Sequence, residues 1–414
     1  MKRSERSIRI RRSSREKDRS ASVPKEAHSP DGEPEETAPR PRRRRKRHLW
    51  WRLLLVALLL VLGLLLWKNW DSLNPGSVWD WLTIQVTGGV KGAGYPYALE
   101  GSSVLSVAPS GKQLALLTDN ALLLLNSTAG ETARRPHAFA APLMDTAGEY
   151  ILLTESGGKR LRLETVHKTE LELTAENDLV TAAVCETGSF AAVIRGTGSH
   201  MSEVVVYTKT GRERYRWYSS ELLVTGVALS ADGTQMAVCG ITAAEGACES
   251  RLLIFQVGDA SAQPLRFSGR ELMLCAVRYA DADTVVAVGD EALWTVRPEM
   301  GEKTEISYTS QQLVQFAVGD GRITTVTSGL GSTAGGLLTV RDRTGEVLYE
   351  ETFSESFRDL SASETGVCLL TDRSLYVLDR EGGKTVTSVS SDGIRVSAAF
   401  GKTAVLGLTE VRIY

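Results

Sequence analysis

Hydrophobic residues follow two different patterns along this chain, and the change from one to the other sets its organisation. From Leu49 to Trp67 the run LWWRLLLVALLLVLGLLLW is apolar on every side, with no polar side chain between Leu53 and Leu66. At ~1.5 Å per residue it is about 28 Å long as a helix, which matches a hydrocarbon core of about 30 Å. The pattern predicts a transmembrane helix over residues 49–68. Trp50, Trp51 and Trp67 would set indoles at the membrane interfaces, and Arg52 would snorkel to the headgroups. After Glu100 the apolar runs shorten to strand length and recur, with small-residue turns, every ~35 to 50 residues, a period that signals propellers and solenoids.

Two series define these repeats. The first is an apolar strand, a turn usually ending in Gly, and a second apolar strand. It begins with VLSVAPSGKQLALL around Gly111 and returns around Gly148, Gly188, Gly233, Asp283, Gly321, Gly366 and Gly401. The second is a third strand, at residues 122–125, 161–163, 204–207, 252–255, 293–296, 337–340, 375–378 and 411–414. Several third strands run into a Gly turn and a fourth strand. Both series count eight. Four antiparallel strands per unit without an intervening helical period predict an all-β, eight-bladed β-propeller over residues 82–414, with a seven-bladed ring as the alternative. The last unit lacks a fourth strand after Tyr414. Either Leu82–Val86 or the segment near Tyr95–Leu99 is therefore expected to complete it and close the ring.

Charge fixes the expected topology. The formal net charge of −2 conceals segregation: residues 1–48 carry an excess of about nine basic side chains, and the chain after Lys68 an excess of about thirteen acidic ones. Arg42–Arg47 abuts the apolar run, which predicts a cytoplasmic N-terminus and an extracytoplasmic domain in the cell membrane. The n-region is too long, and the segment after Trp67 too poor in small residues, for a cleaved signal peptide; a retained signal anchor fits better. Residues 1–48 have almost no large apolar side chains and are expected to be disordered, with the basic cluster on anionic lipid. They lack interleaved aromatics, and no nucleic acid is expected as a partner. Residues 69–94 form a neck, in which Gly88, Gly89, Gly92 and Gly94 read as a flexible stretch.

The stretch TIQVTGGVKGAGYPYALEGSSVL, then LALLTDNALLLLNSTAGE and HAFAAPLMDTAGEYILLTESGGKRLRLE, resembles the opening of an uncharacterised clostridial family of single-pass membrane proteins with an outer propeller-like region. The likeness is best over residues 83–164. It implies the topology and fold above and no reaction.

Candidate chemistry is sparse. His137, His167 and His200 lack metal-ligand spacing. Trp217 and Trp294 are the only tryptophans in the repeats, which does not provide the docking positions of quinone-dependent propellers. No cofactor is expected. Acidic residues near the first turn (Asp145, Glu186, Asp232, Asp281, Asp320, Glu364) read as partners of turn backbone. Cys239 and Cys248 flank a loop between paired strands and would form a disulfide if geometry allows it. The long connections 196–203, 241–250 and 328–336 should emerge on one face and carry binding. His200, Met201, Glu203, Glu245, Glu249, Ser328 and Ser332 are the candidate partner-binding residues there. The expected function is a membrane-anchored scaffold for a protein or cell-envelope polymer, not an enzyme. The alternative is an extracytoplasmic lyase or hydrolase using central-channel carboxylates.

Overall fold

A computed structural model of the chain describes residues 90–244, 246–332 and 334–414. Each repeat is a four-stranded antiparallel sheet, and the described residues contain eight of them. The innermost strands are Val104–Ser110, Pro142–Ala147, Leu179–Val184, Leu223–Leu229, Leu274–Tyr279, Gln311–Gly319, Phe357–Ser363 and Arg395–Ala399, for blades 1 to 8. From each of these the chain meanders outward through consecutive hairpins. Blade 8 departs from this rule. Its fourth strand is Tyr97–Ala98, which pairs with Glu410–Ile413 in the register Tyr97↔Val411 and Ala98↔Glu410. The second of the two expected closing segments therefore supplies the strand. Leu82–Val86 lies outside the described residues, as do the predicted tail, most of the neck, and the transmembrane helix with Trp50, Trp51, Arg52 and Trp67. Among the described residues no helix is long and apolar enough to cross a membrane.

The core is divided rather than single. Second and third strands such as Gln113–Thr118 and Ala121–Leu125 are buried along their whole length, because both faces of each sheet meet a neighbouring blade. Eight apolar clusters result, one for each seam. Between blades 8 and 1, Leu116 and Leu123 pack with Leu406 and Val411; between blades 4 and 5, Ala237 and Leu252 pack with Val285 and Trp294. A fully buried Leu or Val contributes about 1.5–3 kcal/mol relative to exposure, so opening one seam would expose a large share of the stabilising area.

Polar ties register the blades. The Val184 amide donates to Asp145 Oδ2 (2.9 Å), and the Val396 amide to Asp359 Oδ2 (2.8 Å). The Ser250 hydroxyl accepts from the Leu274 amide (2.9 Å) and donates to the Leu272 carbonyl (2.7 Å). At the turn ends, Asp281 pairs with Arg343 (3.3 Å) and Asp320 with Arg380. Asp232 and Asp281 also accept from the amides of Thr234 and Asp283, the turn role expected of them. Asp145 departs from that expectation: it sits within the inner strand and ties blade 2 to blade 3.

The neck, where described, is not a loose linker. Asn126 donates to the Val90 carbonyl (2.7 Å), and the Gly92 amide to Thr128 Oγ1 (3.1 Å). A Cβ on Gly92 would lie 2.1 Å from the Thr128 carbonyl oxygen. Here glycine permits close backbone approach, which is a different use from flexibility.

Candidate functional site

The hairpin geometry gives the ring two unlike faces. The turns joining first to second and third to fourth strands lie on one, with the neck docked on the 126–130 turn of blade 1. The connections joining second to third strands, and one blade to the next, lie on the other. They bond to each other there, as in the Met201 amide to the Ser219 carbonyl (2.7 Å) and the Gly335 amide to the Glu355 carbonyl (2.9 Å). All three long connections predicted from the sequence emerge on this second face.

Blade 4 dominates it. The expected loop 241–250 is mostly strand: Gln235–Ala244 and Ala247–Gln256 continue their ladder to Ala244↔Ala247, and Gly246 takes a positive φ of 81° at the tip. The inner strand stops at Leu223↔Ile241, so the hairpin stands beyond its blade with no inner neighbour. Beside it, at the seam with blade 3, lies a groove of about 890 Å³ walled by Met201, Leu223, Ile241, Ala243, Ala247 and Cys248, with Glu221 and Arg251 at its edge. Met201 (45%) and Leu223 (44%) are unusually exposed for apolar side chains.

The predicted partner-binding residues separate into three groups. Met201 lines the groove, and His200 next to it stacks on Tyr218 with centroids 4.8 Å apart. Glu203 is buried and paired with Arg216, and half-buried Glu249 is bonded to Arg251 at 2.7 Å, so both carboxylates are engaged within the protein. Glu245 lies outside the described residues. Ser328 and Ser332 belong to blade 6, where the Ser332 hydroxyl is satisfied by the Ala334 carbonyl (2.6 Å), and neither lines the groove.

The Cys239–Cys248 disulfide does not form. Both thiols are free, with Cys239 buried in the seam core and Cys248 exposed in the groove wall. Cys239 pairs with Leu252 and Cys248 with Ala243, four residues further along the ladder. At ~3.4 Å per residue this is roughly twice the Cα separation that a disulfide tolerates.

The central cavity, about 850 Å³, is lined by the inner strands and includes Asp145, Arg278, Gln315, Asp359 and Arg395. Burial pushes the Asp145 carboxyl up, while Arg278, 3.9 Å away, pulls it back. Burial also raises Asp359, against the Val396 amide and Gln315 Nε2, which donates to Asp359 Oδ1 at 2.9 Å. Both carboxylates thus serve as seam acceptors, on blades 2 and 7. Among the described residues no group of three or more His, Cys, Asp or Glu could hold a metal ion.

In six of the eight inner strands a single residue slips out of register near the strand start: Leu105, Val180, Thr225, Cys275, Val314 and Arg358. Such bulges re-aim side chains at barrel rims. The only available signal is an apolar residue followed by a variable one at the head of the unit, as in VLS, FRD and LVQ.

The chain is similar to several solved structures. The C-terminal WD40 domain of Sif2 matches with a TM-score of 0.55 and 14% identity, covering 78% of this chain and 98% of that one. BamB from Moraxella catarrhalis gives a TM-score of 0.49 and 13% identity, covering 77% and 96%; apo AztD from Citrobacter koseri gives 0.47 and 13%, covering 70% and 86%. At these identities the likeness concerns the fold alone. No curated protein matches the chain. Residues 99–410, the blades almost from end to end, match a family of unknown function, DUF5711, and the chain belongs to that family.

Proposed function

We propose that this chain is a membrane-tethered, extracytoplasmic propeller that acts as a binding scaffold for a protein or cell-envelope polymer, engaged through the face that carries the long connections. The observation that supports it most is the groove beside the blade 4 hairpin: exposed Met201 and Leu223 stand over a concave wall of small apolar residues. The neck docks on the opposite face, at Asn126 and Thr128, so the groove is clear of the segment that leads to the predicted anchor. An enzyme using channel carboxylates ranks second, because Asp145 and Asp359 are each already accepting bonds from a neighbouring blade.

The test is site-specific photocrosslinking of the full chain on intact cells. A crosslinker at Met201 or Leu223 is expected to capture a discrete partner, and one at Lys112 on the neck side is expected not to. No adduct at either groove position, together with turnover of a glycan by the purified full chain, would overturn the scaffold in favour of the enzyme.

A further inference from the structure

The mouth of the central cavity opens on the same face as the groove, and its rim is chemically lopsided. Five consecutive blades, 6 to 8 and then 1 and 2, carry Val314, Arg358, Arg395, Leu105 and Leu143 near the start of their inner strands; four of them line the cavity, and Arg358 is exposed at the head of its strand beside them. The three apolar members are 40–46% exposed, unusual for side chains of their type. Both arginines are exposed as well.

The arginines are neighbours, because the residues after them, Asp359 and Val396, are hydrogen-bonded to each other at 2.8 Å. Neither guanidinium makes a hydrogen bond or ion pair among the described residues. That sets them apart from Arg134, Arg135, Arg160, Arg216, Arg251 and Arg380, which are all paired with carboxylates. Asp359 senses the charge of Arg395, but its oxygens are taken by the Val396 amide and Gln315 below the rim. Two guanidinium forks therefore face outward with unused donors, flanked on both sides by apolar side chains. Planar forks of this kind match carboxylate geometry.

We propose that this rim binds an acidic segment of a protein partner, in which a carboxylate side chain is flanked by apolar ones. Arg358 and Arg395 take the carboxylate, while Val314 on one side and Leu105 and Leu143 on the other take the flanking side chains. The proposal rests on the scaffold function above and names the chemistry of its partner. A free small anion would use the arginines and leave the apolar arc uncovered. A basic segment would meet like charge.

The test is fluorescence anisotropy with the purified full chain and a labelled peptide of alternating Asp and Leu, run beside the same peptide with Asn or Lys in place of Asp. The Asp peptide is expected to bind, to weaken as salt rises, and to lose at least about tenfold in affinity with Arg358→Gln/Arg395→Gln. That double variant changes exposed side chains only, and an unchanged unfolding midpoint verifies its fold. Val314→Glu, which keeps both arginines, is also expected to weaken binding. Three results would overturn the proposal: equal binding of the Asn peptide, no effect of the double variant, or displacement of the peptide by succinate at concentrations that a plain anion site would need. The crosslinking at Met201 and Leu223 separates the two conclusions. If partner capture persists there while the Asp peptide fails to bind, the scaffold stands and the rim assignment falls.

Discussion

Tyr97 lies directly across from Val411 in the last blade, so a strand from the start of the domain closes a sheet built from its end. Val411 is fully buried in the seam between blades 8 and 1, and the Tyr97 hydroxyl reaches Glu131 of blade 1 at 2.8 Å. The pair thus closes the ring inside blade 8, where hydrogen bonds alone join a strand from the start of the domain to the strand that ends it. Val411→Ala is expected to cost about 2 kcal/mol through the cavity it leaves. Val411→Asp would bury a carboxylate without a partner and remove most of a stability that is typically about 5–15 kcal/mol. Urea unfolding followed by tryptophan fluorescence checks both. Equal, small effects of Ala and Asp would mean that the closure contributes little.

Glu155 predicts the acid behaviour of blade 2. Its oxygens accept from Arg160 Nη2 (2.8 Å), Arg160 Nε (2.9 Å) and the Ala140 amide (3.0 Å). The Arg160 hydrogen bonds, then the Ala140 amide, draw its pKa down to about 2. Because the folded-state pKa is depressed, the stability it contributes is complete above about pH 4.5 and is lost as pH falls towards 2. Glu155→Gln should cost about 1–3 kcal/mol at neutral pH by weakening these charge-assisted bonds. It should also flatten the fall in unfolding free energy between pH 4.5 and 2. An acid limb identical to that of the unmodified chain would contradict the assignment.

The blade count is legible because it depends on local pattern, whereas the missing fourth strand after Tyr414 points to an upstream closing strand without deciding between Leu82–Val86 and the segment near Tyr95. A strand buried on both faces must be apolar throughout, and LALL, LLLL and AAVI announce themselves. The hairpin of blade 4 looks like a loop in sequence because ITAAEGACES has few large apolar residues; pairing with each other, not burial, holds those strands. Glu203 and Glu249 looked like surface acids, and only the fold reveals Arg216 and Arg251 beside them. The rim arginines were invisible for two reasons. Arg358 sits on a one-residue bulge, which strict alternation cannot anticipate, whereas Arg395 is in regular register and only the ring brings it beside Arg358.

The five cysteines should react in two classes. Cys248 and Cys275 are exposed, whereas Cys185, Cys239 and Cys368 are buried. Burial pushes the Cys239 thiol up to about 12 and also raises Cys275, which donates to the Val288 carbonyl at 3.3 Å. Thiolate is the reactive species, so Cys248 should be alkylated first, Cys275 more slowly, and the other three only on unfolding. Mass spectrometry of natively alkylated protein tests the order. Mild oxidation should leave Cys239 and Cys248 unlinked, and a recovered peptide joining them would refute the ladder register.

The neck's attachment can be broken without breaking the propeller. Asn126 Oδ1 accepts from the amides of Thr128 (3.0 Å) and Gly130 (2.8 Å), which shapes the turn on which the neck lies. Gly92 and Gly94 then hydrogen-bond to Thr128, and Val90 to the Asn126 side chain. A methyl group at position 92 would sit 2.1 Å from the Thr128 carbonyl oxygen and 2.2 Å from the Gly130 nitrogen, both of them backbone atoms. The turn is held by its own bonds, so the neck must yield. Gly92→Ala should therefore speed tryptic cleavage after Lys91 and hydrogen exchange at Gly92 and Gly94, several-fold in each case. Unfolding of the blades should shift by less than about 1 kcal/mol, since none of the seam clusters includes these residues. If the blades instead lose stability along with the neck, the strip from Val90 to Gly94 belongs to the closure of the ring, and the neck and the fold are a single cooperative unit.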